Sequence, residues 1–504
     1  MINKDRIAII LAAGLGSRLD SLTKFKPKCL VRVCGKPILG YQIDSYLEAG
    51  IDKVIIVIGH MAEEISKFIE DNYNGNKKIQ LIQNEIYNKS NNMYSLWLCK
   101  EHIESSNNAI ISNADVVFDG SIIKKLNSKL GNFIVVDQGV FNEEAMKITY
   151  IDGWAKSISK QIKENEAYGS SLDVYSFTRE ASLKLIEEME NIIEVKKDKN
   201  QWTEVALNNV LRKYDLIKPF SIGSKERWYE IDNERDLLNA EVVFSNVDVL
   251  LENKKLFAFD LDGTIYLGDD LITGVDGIIQ KILENGNEVK FLSNNSSRSK
   301  SYYSKKLNSM GIKVETSQIY LSTDATGQHL QKNNYQRGYI IGTEMMKKDL
   351  EIYNVYHTDD DPEFILLGYD TEITYDKIEK AAHLINSNLP YFATHADLVC
   401  PTPEGPIPDI GSFIELFAKS TNKYPIVFGK PEVEMLNSIV PDDMELEECI
   451  FVGDRLYTDF AMAQRSNIDF ICVLSGETQR EDIEEISIWP RLVIPSLNTL
   501  NTFF

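Results

Sequence analysis

Short apolar runs rich in β-branched residues alternate with segments of helical periodicity along the first half of the chain. The apolar runs are RIAIILAAG (6–14), KVIIVIGH (53–60) and NAIISNADVVF (108–118), and the helical segments include 41–49 and 62–73. A chain that alternates in this way folds as a mostly parallel sheet covered by helices. The pattern therefore predicts a Rossmann-like α/β domain over residues 1–245.

The same alternation restarts at the midpoint of the chain and predicts a second α/β unit. Its apolar runs are KLFAFDLDG (255–263), EVKFLSNNS (288–296), PIVFGKP (425–431) and ECIFVGDRL (448–456). A brief polar stretch at 245–255 separates the two patterns and lacks the composition of a flexible Gly/Ser linker. We therefore expect two α/β domains in series, joined near this stretch.

Composition and charge narrow the classes of partner. With 504 residues and a hydrophobic fraction of 43%, the chain is long enough for two or three full-sized cores. The formal net charge of −22 gives a field that repels nucleic acid and anionic membranes, so small molecules are the expected partners. The apolar start of the chain superficially resembles a signal peptide, but the glycine loop and Arg18 that follow it favour a buried first strand.

Two further features bear on where the protein works. No apolar run reaches the ~20 residues that span a bilayer. The six cysteines show no C-x-x-C pair and no metal-ligand spacing, which indicates reduced thiols and predicts a cytoplasmic protein. A disulfide or a zinc site is the less favoured alternative. The sequence does not define the oligomeric state, and an oligomer is possible.

The stretch LFAFDLDGT (256–264) places Asp260 and Asp262 at the end of a predicted strand. Side chains two residues apart on a strand point the same way, so both carboxylates face one site. One of them can attack a phosphorus to form an aspartyl phosphate, while the other protonates the leaving alkoxide and later activates water. A lone Asp-x-Asp is more often a turn, so this interpretation depends on further elements.

Three other strand ends supply those elements. Asp454 and Asp459 supply oxygen ligands suited to Mg²⁺. Together with Asp260 and Asp262 they are the predicted metal ligands of this half. The remaining candidates are Ser293 and Asn294 as phosphate donors and Lys430 as a fixed cation. All of them lie at the carboxyl ends of strands, where open α/β sheets bind their ligands.

This set of residues resembles the haloacid dehalogenase superfamily, in the branch with p-nitrophenylphosphatase and phosphoglycolate phosphatase. The resemblance implies a Mg²⁺-dependent phosphatase core over 255–335 and 415–504, with an α/β cap inserted at 336–414. The sequence departs from the branch at His395, where a T-N-x-D element usually has asparagine. We expect this histidine to alter the selectivity for the leaving group, and a packed or solvated histidine is the alternative.

The first half opens with a strand and a glycine loop, ILAAGLGSRL (10–19), that matches neither a P-loop nor G-x-G-x-x-G. A polar segment, TKFKPKCLVRVCGKP (23–37), follows it. Glycines let backbone N–H groups approach a triphosphate, and Arg18 and Lys28 can neutralise charge on the α-phosphate and the departing pyrophosphate. The predicted nucleotide-binding residues are Ala13, Gly14, Gly16, Arg18 and Lys28.

These signatures, G-x-G-x-R and P-K-x-L, resemble the sugar-phosphate nucleotidyltransferases. The segments at 83–98 and 227–237 resemble most the phosphocholine cytidylyltransferase group. The resemblance implies that CTP is the nucleotide and that Asp115 and Asp232 bind catalytic Mg²⁺. Each aspartate taken alone is equally consistent with a turn or a helix cap.

The acceptor side is less defined by the sequence. Asn92, beside Asn91, and Tyr94 are the predicted acceptor-binding residues. Five aromatic residues offer an aromatic cage for a quaternary ammonium, although aromatic residues at such spacings are more often core: Trp154, Trp202, Trp228, Tyr94 and Tyr150. Lys36 in Gly-Lys-Pro is a weaker candidate, because this tripeptide also shapes turns.

The two halves together resemble bifunctional bacterial enzymes that form CDP-2-glycerol for capsular polysaccharide. That resemblance implies a cytidylyltransferase that activates glycerol-2-phosphate and a phosphatase that acts on dihydroxyacetone phosphate. Phosphocholine, phosphoethanolamine or a phosphonate is the alternative acceptor. A different alternative is that one half is a non-catalytic regulatory module, which is disfavoured because neither half lacks a charged motif residue.

Overall fold

The computed structural model describes residues 5–139, 141, 145–400, 405–441 and 443–504. The chain divides into two compact units, one of Met1–Phe244 with Glu484–Ile486 and one of Ser245–Ile483 with Ser487–Phe504. Each unit has its own parallel sheets and covering helices, so the predicted α/β architecture is confirmed. In the described part of the chain, no helix combines the length and the hydropathy needed to cross a bilayer. The six cysteines all lie in the described part of the chain, and none of them forms a disulfide there.

The strands of the first unit are β1 (Arg6–Ala12), β2 (Arg32–Val33), β3 (Lys36–Pro37), β4 (Lys53–Ile58), β5 (Ile79–Gln83), β6 (Asn108–Asn113), β7 (Val116–Phe118), β8 (Phe133–Asp137), β9 (Lys147–Ile151), β10 (Trp154–Ser159), β11 (Gly169–Thr178), β12 (Lys218–Ser221) and β13 (Trp228–Glu230). Its helices are α1 (Ile38–Glu48), α2 (Ala62–Tyr73), α3 (Asn92–Trp97), α4 (Lys100–Ser105), α5 (Gly120–Ser128), α6 (Arg179–Glu190), α7 (Thr203–Lys213) and α8 (Glu234–Phe244).

The main sheet of the first unit runs in the order β10-β9-β11-β6-β1-β4-β5, with β8 beside β11 and β12 beside β8. Strands β6, β1, β4 and β5 are parallel, whereas β11 is antiparallel to β6. Alternate residues of β1 enter different cores: Ile7, Ile9 and Leu11 pack on one side of the sheet and Ala8, Ile10 and Ala12 on the other. Burial on both faces explains why this strand is a continuous apolar run.

The elements after the first unit begin with α9 (Val247–Leu251), β14 (Leu256–Asp260), β15 (Tyr266–Leu267), β16 (Asp270–Leu271), α10 (Val275–Glu284), β17 (Glu288–Ser293), α11 (Lys300–Ser309), β18 (Ile319–Leu321), α12 (Ser322–Lys332), β19 (Arg337–Ile341), α13 (Glu344–Glu351), β20 (Tyr356–His357) and β21 (Phe364–Leu367). They continue with α14 (Tyr375–Asn386), β22 (Tyr391–Ala393), β23 (Val399–Cys400), β24 (Ile407–Pro408), α15 (Ile410–Thr421), β25 (Ile426–Val427), α16 (Val433–Asn437), β26 (Cys449–Gly453), α17 (Ala461–Arg465), β27 (Asp469–Val473), α18 (Arg480–Glu485) and β28 (Leu492–Ile494).

The second unit contains two parallel sheets. The core sheet has the order β18-β17-β14-β26-β27-β28, and the inserted sheet has the order β20-β19-β21-β22-β25. The inserted sheet extends later in the chain than the predicted cap at 336–414, because β25 pairs with β22. Helix α15 belongs with this sheet too, since Ile410, Ile414 and Phe417 pack in its core. The insertion therefore continues to Val427.

Candidate active sites

A cavity of about 380 Å³ lies beside the carboxyl end of β1 in the first unit. The five predicted nucleotide-binding residues all line it: Ala13, Gly14, Gly16, Arg18 and Lys28. Gly16 has a φ of +65°, and a Cβ there would lie 2.7 Å from Cβ of Lys28. Only glycine combines this left-handed backbone with such close approach. The loop thus positions Lys28 against the cavity.

Lys28 is held between the two aspartates predicted to bind metal. Its Nζ lies 2.8 Å from Oδ2 of Asp115 and 2.9 Å from Oδ1 of Asp232, and Arg18 Nη1 lies 2.7 Å from Oδ2 of Asp232. Burial alone would lower the pKa of Lys28, but the two carboxylates outweigh burial and raise it. Burial would likewise raise the pKa of Asp232, but Lys28 and Arg18 together lower it. Lys28 is therefore a cation and Asp232 an anion at neutral pH.

A third carboxylate, Glu230, joins Asp115 and Asp232. Oxygen atoms of the three residues lie within 4.8 Å of one another. Strand β13 pairs with β7 so that Glu230 is opposite Val116, and the N–H of Ile231 donates to the carbonyl of Asp115 at 2.9 Å. Burial and the neighbouring carboxylates raise the pKa of Glu230 to about 9.

This group of carboxylates fits a divalent cation. Oδ1 of Asp115 is buried without a hydrogen-bond partner among the described residues. An oxygen-only donor set is the kind that Mg²⁺ prefers. Glu230 was not predicted from the sequence, although it lies two residues before Asp232 in the same segment.

The predicted acceptor residues have different environments. Asn92 lines the cavity, and its Oδ1 accepts a hydrogen bond from the N–H of Thr203 at 2.9 Å. Tyr94 does not belong to the cavity lining: it stacks on Trp97 at 5.7 Å and packs against the core, and Lys199 lies over its ring. Tyr94 lies two residues after Asn92 in α3. Residues at this spacing point to different sides of a helix, so Tyr94 faces the core and Asn92 faces the cavity.

The five aromatic residues proposed for a cage do not converge. Of these five, Trp202 alone lines the cavity, where Tyr87 also contributes an aromatic ring. Trp228 donates from Nε1 to Oδ2 of Asp137, Lys218 covers the ring of Trp154, and Tyr150 packs on Tyr168. Lys36 is paired with Asp44 at 2.6 Å and does not line the cavity. Trp228, Trp154, Tyr150 and Lys36 therefore contact other protein residues and do not face the cavity.

In the second unit, three strands bring the phosphatase candidates to one edge of the core sheet. Asp260 is the last residue of β14, Ser293 is the last residue of β17, and Asp454 follows β26 directly. Because β17, β14 and β26 are adjacent and parallel, their carboxyl ends lie side by side. Asp260 and Ser293 are both buried, and Ser293 Oγ accepts the N–H of Asn295 at 3.2 Å.

Lys430 is buried between two of the carboxylates. Its Nζ donates to Oδ1 of Asp260 and lies 2.7 Å from Oδ1 of Asp459. Burial alone would lower the pKa of Lys430, but Asp260 and Asp459 raise it well above its usual value. The ammonium therefore stays charged next to the proposed nucleophile.

Asp260, Asp454 and Asp459 form a second group of carboxylates whose oxygen atoms lie within 4.8 Å of one another. Burial, followed by the charge of Asp459, raises the pKa of Asp454 to about 7. Oδ1 of Asp454 is buried without a hydrogen-bond partner among the described residues, so the group fits an oxygen-bound Mg²⁺. Asp262 differs from the prediction, because its side chain is exposed and does not join this group.

Asn294 contacts protein where a phosphate was expected. Its Oδ1 accepts the N–H of Lys430 at 2.7 Å, and its Nδ2 donates to the carbonyl of Lys430 at 3.0 Å and to Oδ2 of Asp397 at 3.1 Å. With its amide engaged on both sides, Asn294 positions the loop that holds Lys430. The sequence pattern cannot reveal this, because Asn294 and Lys430 are far apart in the chain.

His395 is 1% exposed, which excludes the solvated alternative. Its Nδ1 lies 3.6 Å from Oδ2 of Asp397 and its Nε2 lies 3.7 Å from Oδ1 of Asp409. Arg455 Nη1 approaches the same oxygen of Asp397 at 3.8 Å. The histidine thus belongs to a buried charged group of the inserted region, and its effect on the leaving group stays a prediction.

Gly263 offers a direct test of the Asp454 position. It has a φ of +87°, and a Cβ there would lie 2.4 Å from Oδ2 of Asp454, which already accepts the N–H of Glu477 at 2.6 Å. We expect Gly263→Ala to displace Asp454 and lower kcat of the phosphatase by about 10². Gly268→Ala is the matched control, because Gly268 also has a positive φ of +58° but open space around its Cβ. Equal kcat values in the two variants would contradict the role of Asp454.

Comparisons with known proteins agree with the division of the chain into two units. Residues 8–166 match the family model of the MobA-like NTP transferase domain. Residues 257–356 match the model of haloacid dehalogenase-like hydrolases, and residues 427–500 match a HAD-hydrolase-like model. The first of these two ranges includes β19, and the stretch between the two ranges contains β21 and β22 of the inserted sheet. Glu230 and Asp232 lie beyond the range matched in the first unit.

Individual relatives match about half of this chain. A 5′-nucleotidase of Bacillus subtilis, YutF, is 28% identical over 249 residues, which are 49% of this chain and 97% of the relative. A dihydroxyacetone phosphatase of Corynebacterium glutamicum is 28% identical over 244 residues, which are 48% of this chain and 88% of the relative. A 4-nitrophenylphosphatase structure from Thermotoga maritima has 35% identity and a TM-score of 0.48, covering 50% of this chain and 97% of that one.

The two sites and the family matches fall on the same two parts of the chain. One part has a glycine loop, a half-buried lysine and three carboxylates around a cavity. The other has a buried aspartate at a strand end, a lysine and two further carboxylates. The chain therefore joins a MobA-like NTP transferase domain to a haloacid dehalogenase-like hydrolase domain, and is both a nucleotidyltransferase and a phosphomonoester hydrolase.

Proposed function

We propose that the first unit is a CTP-dependent cytidylyltransferase that activates a small phosphoalcohol, with glycerol-2-phosphate favoured, and releases pyrophosphate. The observation that supports it most is Lys28, which lies half-buried in the cavity between Asp115 and Asp232. An oxygen of the acceptor phosphate attacks the α-phosphorus of CTP, and the bond to the β-phosphate oxygen breaks. Lys28 and Arg18 are placed to offset the charge that develops on the phosphate oxygens.

Mg²⁺ bound by Asp115, Glu230 and Asp232 would add positive charge at the triphosphate. The residues of the chain do the remaining work. Gly14 and Gly16 allow backbone N–H groups to approach the phosphates, and Asn92 faces the cavity on the acceptor side. CTP, in preference to other nucleotides, rests on the resemblance to cytidylyltransferases.

We propose that the second unit is a Mg²⁺-dependent phosphatase that acts through an aspartyl phosphate on Asp260. Dihydroxyacetone phosphate is the favoured substrate, a choice supported by the relative from Corynebacterium glutamicum. Lys430 donates to Asp260 and opposes the rise in the pKa of that carboxyl group that burial causes, and Ser293 is the proposed phosphate donor. Asp262, exposed two residues beyond the end of β14, is the proposed acid that protonates the leaving alkoxide. We place both activities in the cytoplasm.

The two substrates must differ if both sites work on one pathway. The transferase needs a phosphomonoester as acceptor, and an unselective phosphatase on the same chain would destroy it. We therefore expect fast hydrolysis of dihydroxyacetone phosphate and at least about 10²-fold slower hydrolysis of glycerol-2-phosphate in kcat/KM. Such a ratio requires only about 2.7 kcal/mol of differential transition-state binding.

The experiment measures both halves on one preparation of the full chain with Mg²⁺. Pyrophosphate release is measured with CTP, UTP, ATP and GTP against glycerol-2-phosphate, phosphocholine and phosphoethanolamine, and phosphate release is measured with each phosphomonoester. The proposal predicts pyrophosphate with CTP and a phosphoalcohol. No pyrophosphate with any pair would contradict the transferase assignment. If the best acceptor is also the best phosphatase substrate, the second unit removes the acceptor of the first unit, and the two activities are not successive steps of one pathway.

A further inference from the structure

Asp173 and Glu204 place two buried carboxylates on the wall of the first unit's cavity. They are 7% and 5% exposed. Among the described residues, no ion pair within 4.0 Å joins either of them to a lysine, arginine or histidine. Burying a carboxylate is costly without hydrogen bonds, and a buried pair on a cavity wall can accept further hydrogen bonds from a ligand.

The hydroxyl of Tyr175 lies between the two carboxylates. Its oxygen is 3.0 Å from Oδ1 of Asp173 and 2.8 Å from Oε1 of Glu204. A phenol has one hydrogen, so it donates to only one of the two acceptors. The other carboxyl group approaches the phenol oxygen best when it holds a proton itself, and burial followed by the charge of Glu204 raises the pKa of Asp173 to about 7. The pair then presents both donors and acceptors.

The backbone aims Asp173 at this position. Strand β11 shifts its register with β8 between Ser171 and Tyr175, and Asp173 has a φ of +54° within the shift. Such an irregularity changes the side of the strand to which a side chain points. The Nδ2 of Asn113 donates to Oδ2 of Asp173 at 2.9 Å, which fixes the carboxyl group next to the cavity.

The surrounding groups distinguish between classes of acceptor. Asn91 and Asn92 also line the cavity, so hydrogen-bonding groups outnumber the aromatic rings of Tyr87 and Trp202. A quaternary ammonium has no hydrogen to donate and is recognised by several aromatic faces. Hydroxyl groups donate and accept at once, which matches a carboxyl pair of mixed protonation.

We propose that Asp173 and Glu204 select the acceptor by hydrogen bonding to the hydroxyl groups of a phosphorylated polyol. This inference rests on the proposed cytidylyl transfer by the same cavity. It names two specificity-determining residues that lie outside the nucleotide and metal positions. Phosphocholine should then be a poor acceptor, because its quaternary ammonium has no hydrogen to donate to the pair.

The test compares Asp173→Ala, Glu204→Ala and the unsubstituted full chain in pyrophosphate release with CTP and Mg²⁺. We expect each substitution to raise KM for glycerol-2-phosphate about tenfold to a hundredfold, the effect of losing a buried hydrogen bond to a charged group. KM for CTP should stay within about twofold, which separates a specificity role from a general loss of structure. Glu188→Ala is the matched control, since Glu188 is a buried acid paired with Lys213 outside the cavity.

The outcomes separate the two levels of the proposal. If the unsubstituted chain forms pyrophosphate fastest with phosphocholine or phosphoethanolamine, the polyol inference is wrong while the transferase stands. If both variants keep the KM of the unsubstituted chain for glycerol-2-phosphate, the two carboxylates do not select the acceptor. If no acceptor yields pyrophosphate in the unsubstituted chain, the proposed function fails, and the inference fails with it.

Discussion

Asp260→Asn is expected to reduce hydrolysis of p-nitrophenyl phosphate to background while nucleotidyl transfer continues. The amide has nearly the shape of the carboxylate but cannot attack phosphorus to form an acyl phosphate. Lys430 keeps Asp459 as a partner at 2.7 Å, so the buried ammonium is not left unpaired. The measurement is kcat for phosphate release next to the rate of pyrophosphate release on the same preparation.

Asp262→Asn is the informative companion to this variant. Asp262 is exposed and lies outside the group formed by Asp260, Asp454 and Asp459. Its loss should affect leaving groups unequally, since a poor leaving group needs protonation more than p-nitrophenolate does. Substantial hydrolysis by folded Asp260→Asn would mean that another residue is the nucleophile.

Lys28→Ala is expected to lower kcat for nucleotidyl transfer by about 10² or more, the scale of one preorganised electrostatic contact. Lys28 is the half-buried cation shared by Asp115 and Asp232, so its removal also leaves those carboxylates to repel the triphosphate. The measurement is kcat and KM for CTP at saturating acceptor. An unchanged kcat with a raised KM would make Lys28 a binding residue only.

Lys36→Ala provides the control for this prediction. Lys36 lies in the same signature segment, but its ammonium pairs with Asp44 at 2.6 Å and does not line the cavity. We expect this variant to keep kcat within about twofold, because exposed ion pairs contribute little. A large loss of kcat in Lys36→Ala would mean that the segment acts through its conformation instead of through Lys28.

The positions of the motifs could be predicted because they depend on local pattern. Asp260, Ser293 and Asp454 follow apolar runs, and the end of a buried parallel strand brings such residues to one sheet edge. The glycine loop after β1 followed from the same rule. Lys28 was predicted from its signature, and its neighbours Asp115 and Asp232 were predicted from the family resemblance.

Residues whose role depends on tertiary pairing were missed. Glu230 reaches Asp115 through the pairing of β13 with β7, and Asp173 faces the cavity because β11 is irregular. Neither feature has a periodic signal in the sequence. Asn294 and Tyr94 show the opposite case, since residue type indicated a ligand but packing supplied protein partners.

The most direct test of two separate active sites measures both activities in two variants of the full chain. Asp260→Asn removes the proposed nucleophile of the second unit, and Asp232→Asn removes a carboxylate that contacts both Lys28 and Arg18 in the first. With CTP, a phosphoalcohol and Mg²⁺ for one assay and p-nitrophenyl phosphate for the other, each variant should lose one activity and keep the other. Loss of both activities in either folded variant would contradict two independent sites.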